Sequence, residues 1–177
     1  MKGQPGFAIW FTGLPAAGKS TLARALADAL AAQDVQTQIL DSDELRTVLT
    51  PAPDYSLQER DWFYATVAYL AQLLTQNGVN VLVAATAVQR VYRDRAREML
   101  PKFLEVYVRC SLETAMARDE KGTYEQALSG EASTVPGVQI PFEEPLDPEV
   151  VVDTELVAVE LGVARVCKVL KEQNLIR

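Results

Sequence analysis

One stretch constrains this chain more than any other: Gly13-Leu14-Pro15-Ala16-Ala17-Gly18-Lys19-Ser20-Thr21. Its spacing, G-x-x-x-x-G-K-S, is that of the P-loop, in which successive backbone N–H groups curl around a phosphate. Glycines at both ends permit so tight a bend because they carry no side chain to block the approach. In this pattern Lys19 reaches the β- and γ-phosphates of a nucleotide, and Ser20 places its hydroxyl on Mg²⁺.

The flanking sequence favours this interpretation. Residues 7–11 form an apolar, strand-like run ahead of the loop, and Leu22, Leu26 and Leu30 recur at helical spacing behind it. The phosphate would then lie at a helix N-terminus, where free N–H groups and the helix dipole favour an anion. A glycine-containing surface turn is the alternative, and the strand before the loop and the helix after it count against that alternative.

The rest of the chain alternates strand-like and helical segments. Further strands are expected at 36–40, 79–85, 103–108 and 150–152, with helices at 44–49, from the Ser56–Glu59 capping box to 77–78, at 90–101 and after Ser111. The apolar stripes are expected to bury Leu70, Leu73 and Leu74 in the long helix, and Leu156, Val159, Val163, Val166 and Leu170 in the last. This alternation predicts an α/β three-layer sandwich with a mainly parallel five-stranded sheet, as one domain over residues 1–177.

Between residues 121 and 148 the regular pattern stops. Glycines and prolines interrupt this segment, and only 124–128 looks helical. An irregular stretch of this length inside a compact domain is usually functional. We therefore predict a lid over approximately residues 121–148.

Composition limits the partners. The formal net charge is −7 over 177 residues, which gives no general attraction to nucleic acid or to anionic lipid, so we expect a small-molecule substrate and neither of those partners. No apolar run is long enough to span a bilayer, and residues 1–6 lack a signal-peptide hydrophobic region, so a cytoplasmic location is expected. Cys110 and Cys167, the two cysteines, are expected to be reduced core thiols.

The chain contains no histidine, so a general base has to come from the carboxylates. Asp41 and Asp43 follow the second predicted strand, at the edge where open α/β sheets bind ligands. If the strand continues through both, its period of two places them on one side. One could serve Mg²⁺ and the other accept a proton from an attacking hydroxyl. The alternative is an acidic turn in which Asp43 caps a helix.

Arginines supply candidate anion-binding groups near the same edge and the lid. A guanidinium can donate two hydrogen bonds to one phosphate-like group. Most arginines, however, are explained by exposure to solvent or by ion pairing on a helix face. The candidates are Arg46, Arg60, Arg90, Arg93 and Arg118.

Several motifs together resemble the adenylylsulfate kinase family, which phosphorylates the 3′-hydroxyl of adenosine 5′-phosphosulfate (APS), and the resemblance covers nearly the whole chain. The P-loop matches the family's G-L-S-G-x-G-K-S-T, and residues 41–46 match its D-G-D-N-x-R. Residues 55–60 match F-S-x-x-D-R, and residues 117–124 match the lid signature A-R-D-x-K-G-x-Y. Residues 141–145 and 152–154 resemble it as well.

The resemblance implies a P-loop NTPase fold with a mobile lid, ATP and Mg²⁺ as donor and metal, and a possible homodimer. It implies that Lys19 and Asp43 act in catalysis, with Asp41 and Ser20 at the metal and Arg118 near the nucleotide; which of Asp41 and Asp43 is the base stays open. On the acceptor side the candidates are Asp43, Arg46, Tyr55, Arg60, Phe63 and Arg90.

The departures from the family pattern fall in the acceptor half. The family's E-N-I-R-R is replaced by residues 62–66, and its lid K-N-F by Ser133-Thr134-Val135, which removes cations and one of two adenine-stacking aromatics. Tyr55 could supply the other. We therefore expect weak or replaced APS activity, the alternatives being a related kinase with a changed acceptor or, in another class, a nucleotide-binding switch or ATPase module. No N-K-x-D guanine signature supports the switch.

Overall fold

A single parallel sheet organises the protein, for which a computed structural model describes residues 4–177; residues 1–3 of the N-terminal stretch considered above lie outside the described part. The strands are β1 (Ala8–Thr12), β2 (Thr37–Asp41), β3 (Asn80–Ala84), β4 (Phe103–Arg109) and β5 (Val150–Asp153). Their order is β2-β3-β1-β4-β5, and every neighbouring pair is parallel. The predicted five-stranded sheet is confirmed.

Helices cover both faces of the sheet, which confirms the three-layer sandwich. They are α1 (Lys19–Ala31), α2 (Ser42–Leu49), α3 (Leu57–Gln76), α4 (Arg90–Met99), α5 (Leu112–Ala117), α6 (Thr123–Ser129) and α7 (Val159–Glu172). Alternate residues of β1 point to opposite faces. Ile9 and Phe11 therefore pack in the core beneath α1 and α7, and Ala8 and Trp10 in the core beneath α3 and α4.

The predicted helix ends are confirmed where local chemistry determines them. The Ser56 hydroxyl accepts a hydrogen bond from Glu59 N (3.1 Å) at the start of α3. That helix ends at Gln76, and Gly78 adopts a left-handed φ of 83° as the chain leaves it. Ser111 caps α5 through Thr114 N (3.2 Å).

Two of the predicted buried leucines are exposed instead. Leu156 precedes α7 and is 79% exposed, because the amides of Leu156 and Val157 both bond to the carbonyl of Asp153 in a turn that follows β5. Leu73 is 47% exposed on the outer side of α3. Val159, at the start of α7, is also exposed, at 37%. These three predictions were wrong because they extended an apolar stripe beyond the residues that contact the sheet.

Two expectations from composition have structural counterparts. Cys110 and Cys167 are free thiols, as predicted. No helix within residues 4–177 has both the length and the apolar character needed to cross a bilayer.

Candidate active site

A cleft of about 1210 Å³ opens at the carboxyl ends of the strands, where the sequence predicts a ligand site. The P-loop and the start of α1 form its floor. One wall comes from α2, the segment after it and the start of α3, and the other from the loops that follow α5 and β5. Residues 132–136 of the predicted lid also contact it.

The P-loop has the backbone that its sequence predicts. A Cβ at Gly13 would lie 2.2 Å from the carbonyl oxygen of Val108, so only glycine fits there. Gly18 has a left-handed φ of 99° immediately before α1. Ala16 is also left-handed, with φ of 60°, a conformation that costs a residue with a Cβ about 1–2 kcal/mol.

Lys19 turns back over the loop at the first position of α1. Its Nζ donates to the carbonyl oxygens of Gly13 (3.1 Å) and Leu14 (2.7 Å). Burial lowers the pKa of Lys19 to about 8, against an opposing pull from the nearby Asp43 carboxylate. No carboxylate among residues 4–177 forms an ion pair with this ammonium, so an anionic ligand would complete its environment.

Ser20 and Asp41 bring two oxygens together beside Lys19. The Ser20 hydroxyl donates to Asp41 Oδ2 (2.6 Å), and Asp41 Oδ1 accepts from the amide of Asp43 (3.0 Å). Asp41 is therefore the N-cap of α2, and the alternative in which Asp43 caps this helix is wrong. Because β2 ends at Asp41 and α2 begins at Ser42, strand periodicity does not relate the two carboxylates.

Asp43 reaches across the cleft to Lys121, and the two side chains form an ion pair. The hydrogen bond to Asp43 raises the pKa of Lys121. Sequence reasoning assigned no role to Lys121, although it belongs to the lid signature at residues 117–124. That signature was the available signal.

Arg46 lies on the opposite wall between two aromatic rings. Its guanidinium carbon is 3.9 Å from the ring centroid of Phe63 and 4.8 Å from that of Tyr55. Nη1 pairs with the Glu59 carboxylate, whereas Nη2 is buried without a hydrogen-bond partner among the described residues. Phe63 is fully buried and supports Arg46 from below, while Tyr55 lines the cleft.

Arg60 connects α3 to the lid. Its Nε donates to the carbonyl of Tyr55 (2.9 Å), and Nη2 donates to the carbonyl of Thr134 (2.8 Å). The side chain is only 5% exposed, yet it contributes to the cleft wall. Arg60 therefore lines the cleft and also joins two of its segments, the loop at Tyr55 and the lid at Thr134.

Arg118 lies on the P-loop side of the cleft. Its two terminal nitrogens donate to the hydroxyl (2.9 Å) and the carbonyl (3.0 Å) of Thr154. The Thr154 hydroxyl also lies 3.2 Å from the carbonyl of Ala17, which ties this corner to the P-loop. Sequence reasoning assigned no role to Thr154, which is visible only as part of the 152–154 match.

Two predicted cleft arginines do not line the cleft. Arg93 is 1% exposed and forms an ion pair with Glu105 (2.7 Å), a buried residue of β4. Burial lowers the pKa of Arg93, and the Glu105 carboxylate opposes this effect. Arg90 donates through Nε to the carbonyl of Glu144 (2.7 Å). Both arginines therefore fasten neighbouring chain segments in this structure.

The predicted lid has two parts that are held differently. Gln139 organises the first: its Oε1 accepts from the amide of Val135 (2.9 Å), and its Nε2 donates to the carbonyls of Ala127 and Ala132. The second part, residues 141–148, is attached to the body. There the amide of Glu143 donates to the carbonyl of Val88 (2.9 Å).

Comparison with known families matches residues 5–153 to adenylylsulphate kinase. The chain belongs to this family. The adenylyl-sulfate kinase of Picosynechococcus sp. is 39% identical over 167 residues, which cover 94% of either chain. A probable bifunctional SAT/APS kinase 2 of Sorangium cellulosum is 40% identical over 167 residues, and this chain spans only 29% of that protein.

A solved relative of the family has the same architecture. The Mycobacterium tuberculosis APS kinase, in complex with AMPPNP and APS, matches with a TM-score of 0.90 at 28% identity, over 96% of this chain and 99% of that one. Membership of the adenylylsulphate kinase family makes this protein a P-loop kinase, as the motifs predicted.

Proposed function

We propose that this kinase transfers the γ-phosphate of ATP to the 3′-hydroxyl of APS. The observation that carries the proposal is that one cleft holds both a phosphate-binding loop and a cationic side chain across from it. The P-loop with Lys19 lies on its floor, and the opposite wall is lined by Arg46, whose buried Nη2 has no hydrogen-bond partner among the described residues. The relatives named above, one of them solved with an ATP analogue and APS, support this choice of substrates.

The donor nucleotide would bind along residues 13–21. The backbone N–H groups of this loop, those of Gly13, Ala16, Ala17, Gly18 and Thr21 among them, would bind the phosphates, as a P-loop does. Lys19 would exchange its bonds to the carbonyls of Gly13 and Leu14 for the β- and γ-phosphates. Arg118 would stand at the nucleotide end, held by Thr154.

The oxygens present suit Mg²⁺. Mg²⁺ in kinases is held by one or two protein oxygens together with phosphates and water, and the Ser20 hydroxyl and the Asp41 carboxylate lie 2.6 Å apart at the cleft. We propose that these two residues hold the ion, directly or through its water. The bound ion supplies positive charge for the phosphates. Ser20 and Asp41 then fix its place relative to Lys19.

Asp43 is the proposed base. The acceptor 3′-hydroxyl oxygen forms the new bond to the γ-phosphorus, the bond to the β-phosphate oxygen breaks, ADP leaves, and the hydroxyl proton passes to Asp43. Phosphoryl transfer of this kind depends mainly on positioning and electrostatic stabilisation. Lys19 stabilises the developing charge, and the lid excludes water once it closes.

Arg46, Arg60 and Tyr55 would form the acceptor subsite. The guanidinium charge of Arg46 suits the anionic phosphosulfate, and the exposed ring of Tyr55 can stack on the base. Val135 lines the same cleft where the family motif carries an aromatic. Phe63 and Arg90 would contribute through the segments that they support. With fewer stacking and charged contacts, APS should bind more weakly than in a member that keeps the full motif.

An ADP-release assay with APS as the acceptor tests the proposal. APS should stimulate ADP release in the presence of Mg²⁺. A second candidate, a kinase with a changed acceptor, is favoured by Val135 and Ser133 in place of the motif's aromatic and lysine. ADP release with another hydroxyl-bearing nucleotide or phosphorylated metabolite, and none with APS, would contradict the first proposal and support the second.

Two expectations remain outside the site. We propose a homodimer on the basis of the family resemblance; a light-scattering mass near the monomer's 19.5 kDa would contradict it. The cytoplasmic location stays a prediction.

A further inference from the structure

The two oxygens of the Glu59 carboxylate hold two different parts of the acceptor wall. Oε1 pairs with Nη1 of Arg46, on α2. Oε2 accepts from the amide of Tyr55 (2.9 Å) and from that of Asp54. One side chain on α3 therefore joins α2 to the loop that carries the stacking aromatic.

This arrangement differs from an ordinary capping box. There, the glutamate at the third helical position returns to the amide of the N-cap residue. Here the amide of Ser56, the N-cap, bonds to Asp54 Oδ1 (2.8 Å), and Glu59 reaches further back to Asp54 and Tyr55. Helix initiation alone does not require those contacts.

Tyr55 needs such support because of its backbone. Its φ of 52° is left-handed, which is unfavourable for a residue with a large side chain. Glu59 binds the N–H of Tyr55, and Arg60 binds its carbonyl oxygen. The Tyr55 peptide groups are thereby held from both sides by consecutive residues of opposite charge.

Glu59 also sets the direction of Arg46. The two side chains are only 10% and 14% exposed, so water screens their pairing weakly. Glu59 engages Nη1, the ring centroids of Phe63 and Tyr55 lie 3.9 Å and 4.8 Å from the guanidinium carbon, and Nη2 makes no hydrogen bond among the described residues, so Glu59 is the charged partner that orients this side chain. Glu59 itself does not line the cleft.

We propose that Glu59 is a positioning residue for the acceptor subsite: it orients Arg46 and Tyr55 without touching the acceptor. The inference rests on the proposed function, because it assigns those two residues to acceptor binding. A charge-assisted hydrogen bond of this kind typically changes binding by about tenfold to a hundredfold. The effect should fall on the acceptor and spare the nucleotide.

Steady-state kinetics of Glu59→Gln test the proposal. The KM for APS should rise about tenfold or more, while the KM for ATP stays within about twofold. Glu59→Asp, which keeps the charge, should recover part of the loss. Glu98→Gln removes an equal charge from the exposed side of α4 and should match the unchanged protein. Equal increases in both KM values, or none, would overturn the proposal.

Hydrogen exchange gives a readout that needs no acceptor. In Glu59→Gln the amides of residues 54 and 55 should exchange faster, and those of α1 should not change. Unchanged exchange at 54 and 55 would overturn the positioning role. If Glu59→Gln does not fold, Glu59→Asp is measured in its place and should show a smaller increase in exchange at residues 54 and 55. Absence of APS turnover by the unchanged protein would instead contradict the proposed function, which the exchange result does not depend on.

Discussion

Asp43 and Lys121 form an ion pair that joins the first turn of α2 to the loop ahead of α6. Both side chains are well exposed, at 65% and 71%, so the pair adds little to the stability of the fold. Its importance lies in its place, because it fixes the proposed base at the mouth of the cleft. An acceptor hydroxyl that approaches Asp43 would meet a carboxylate that Lys121 already holds in position.

Asparagine substitutions separate the roles of the two aspartates. Asp43→Asn keeps the side chain's shape but removes its charge, so kcat should fall about a hundredfold or more while affinity for the ATP analogue with Mg²⁺ is nearly retained. Asp41→Asn should weaken that affinity, since Asp41 holds Ser20. Calorimetry and kinetics measure both effects, with Asp94→Asn on α4 as the control. The opposite pattern would exchange the two assignments.

Nucleotide binding should take up protons near pH 8. The free protein holds Lys19 at a pKa of about 8, whereas a bound polyphosphate favours the charged form and raises that pKa. Affinity should therefore fall as pH rises above 8, and about half a proton should be absorbed per nucleotide at that pH. Calorimetry in buffers of different ionisation enthalpy measures the uptake. The arginine of Lys19→Arg cannot lose its proton at this pH, so this variant should show no proton uptake. Uptake that persists in the variant would mean that a group other than Lys19 binds the proton.

Ala16→Gly should stabilise the fold. A left-handed alanine is strained and glycine is not, so the free energy of unfolding should rise by about 1 kcal/mol despite glycine's greater freedom in the unfolded chain. Urea denaturation measures this change. Ala31→Gly, at the right-handed and exposed end of α1, should show the opposite sign. A loss of stability in both variants would contradict the strain at Ala16.

The lid should divide near residue 140 when amide exchange is followed. Residues 121–140 reach the cleft through Lys121, which pairs with Asp43, and through Thr134, whose carbonyl accepts from Arg60, so their amides should exchange more slowly once nucleotide and acceptor bind. Residues 141–149 should be protected with or without ligands, since Arg97 also pairs with Glu149. Similar exchange across 121–149 in both states would contradict this division.

Local signals in the sequence were sufficient for the P-loop, the caps at Ser56 and Ser111, and the alternation that produces the sheet. Each depends on residues close together in the chain, so spacing alone identifies it. Phe63, by contrast, is predicted as an acceptor contact but is covered by the Arg46 guanidinium. Its position on the helix does not indicate which neighbour covers it.

Long-range partners explain the other misses. Arg93 is of a residue type that often binds anions, but its partner is Glu105. Glu105 lies buried in β4, where sequence patterns do not lead one to expect a carboxylate. Likewise, no local pattern indicates that Lys121 pairs with Asp43, 78 positions away. The role of Thr154 depends on the same kind of contact, with Arg118 and Ala17.

The strand order has one more consequence. With β1 central, the elements that carry Arg46 and Tyr55 come after β2, on one side of the P-loop, whereas Thr154 comes after β5, on the other. In the proposed assignment, donor and acceptor recognition are thus encoded in separate lengths of chain around a shared floor. The acceptor specificity of such a scaffold can therefore change separately. Exchanging residues 44–66 and 132–136 for those of a relative with another acceptor would alter which hydroxyl receives the phosphate and leave the donor nucleotide the same.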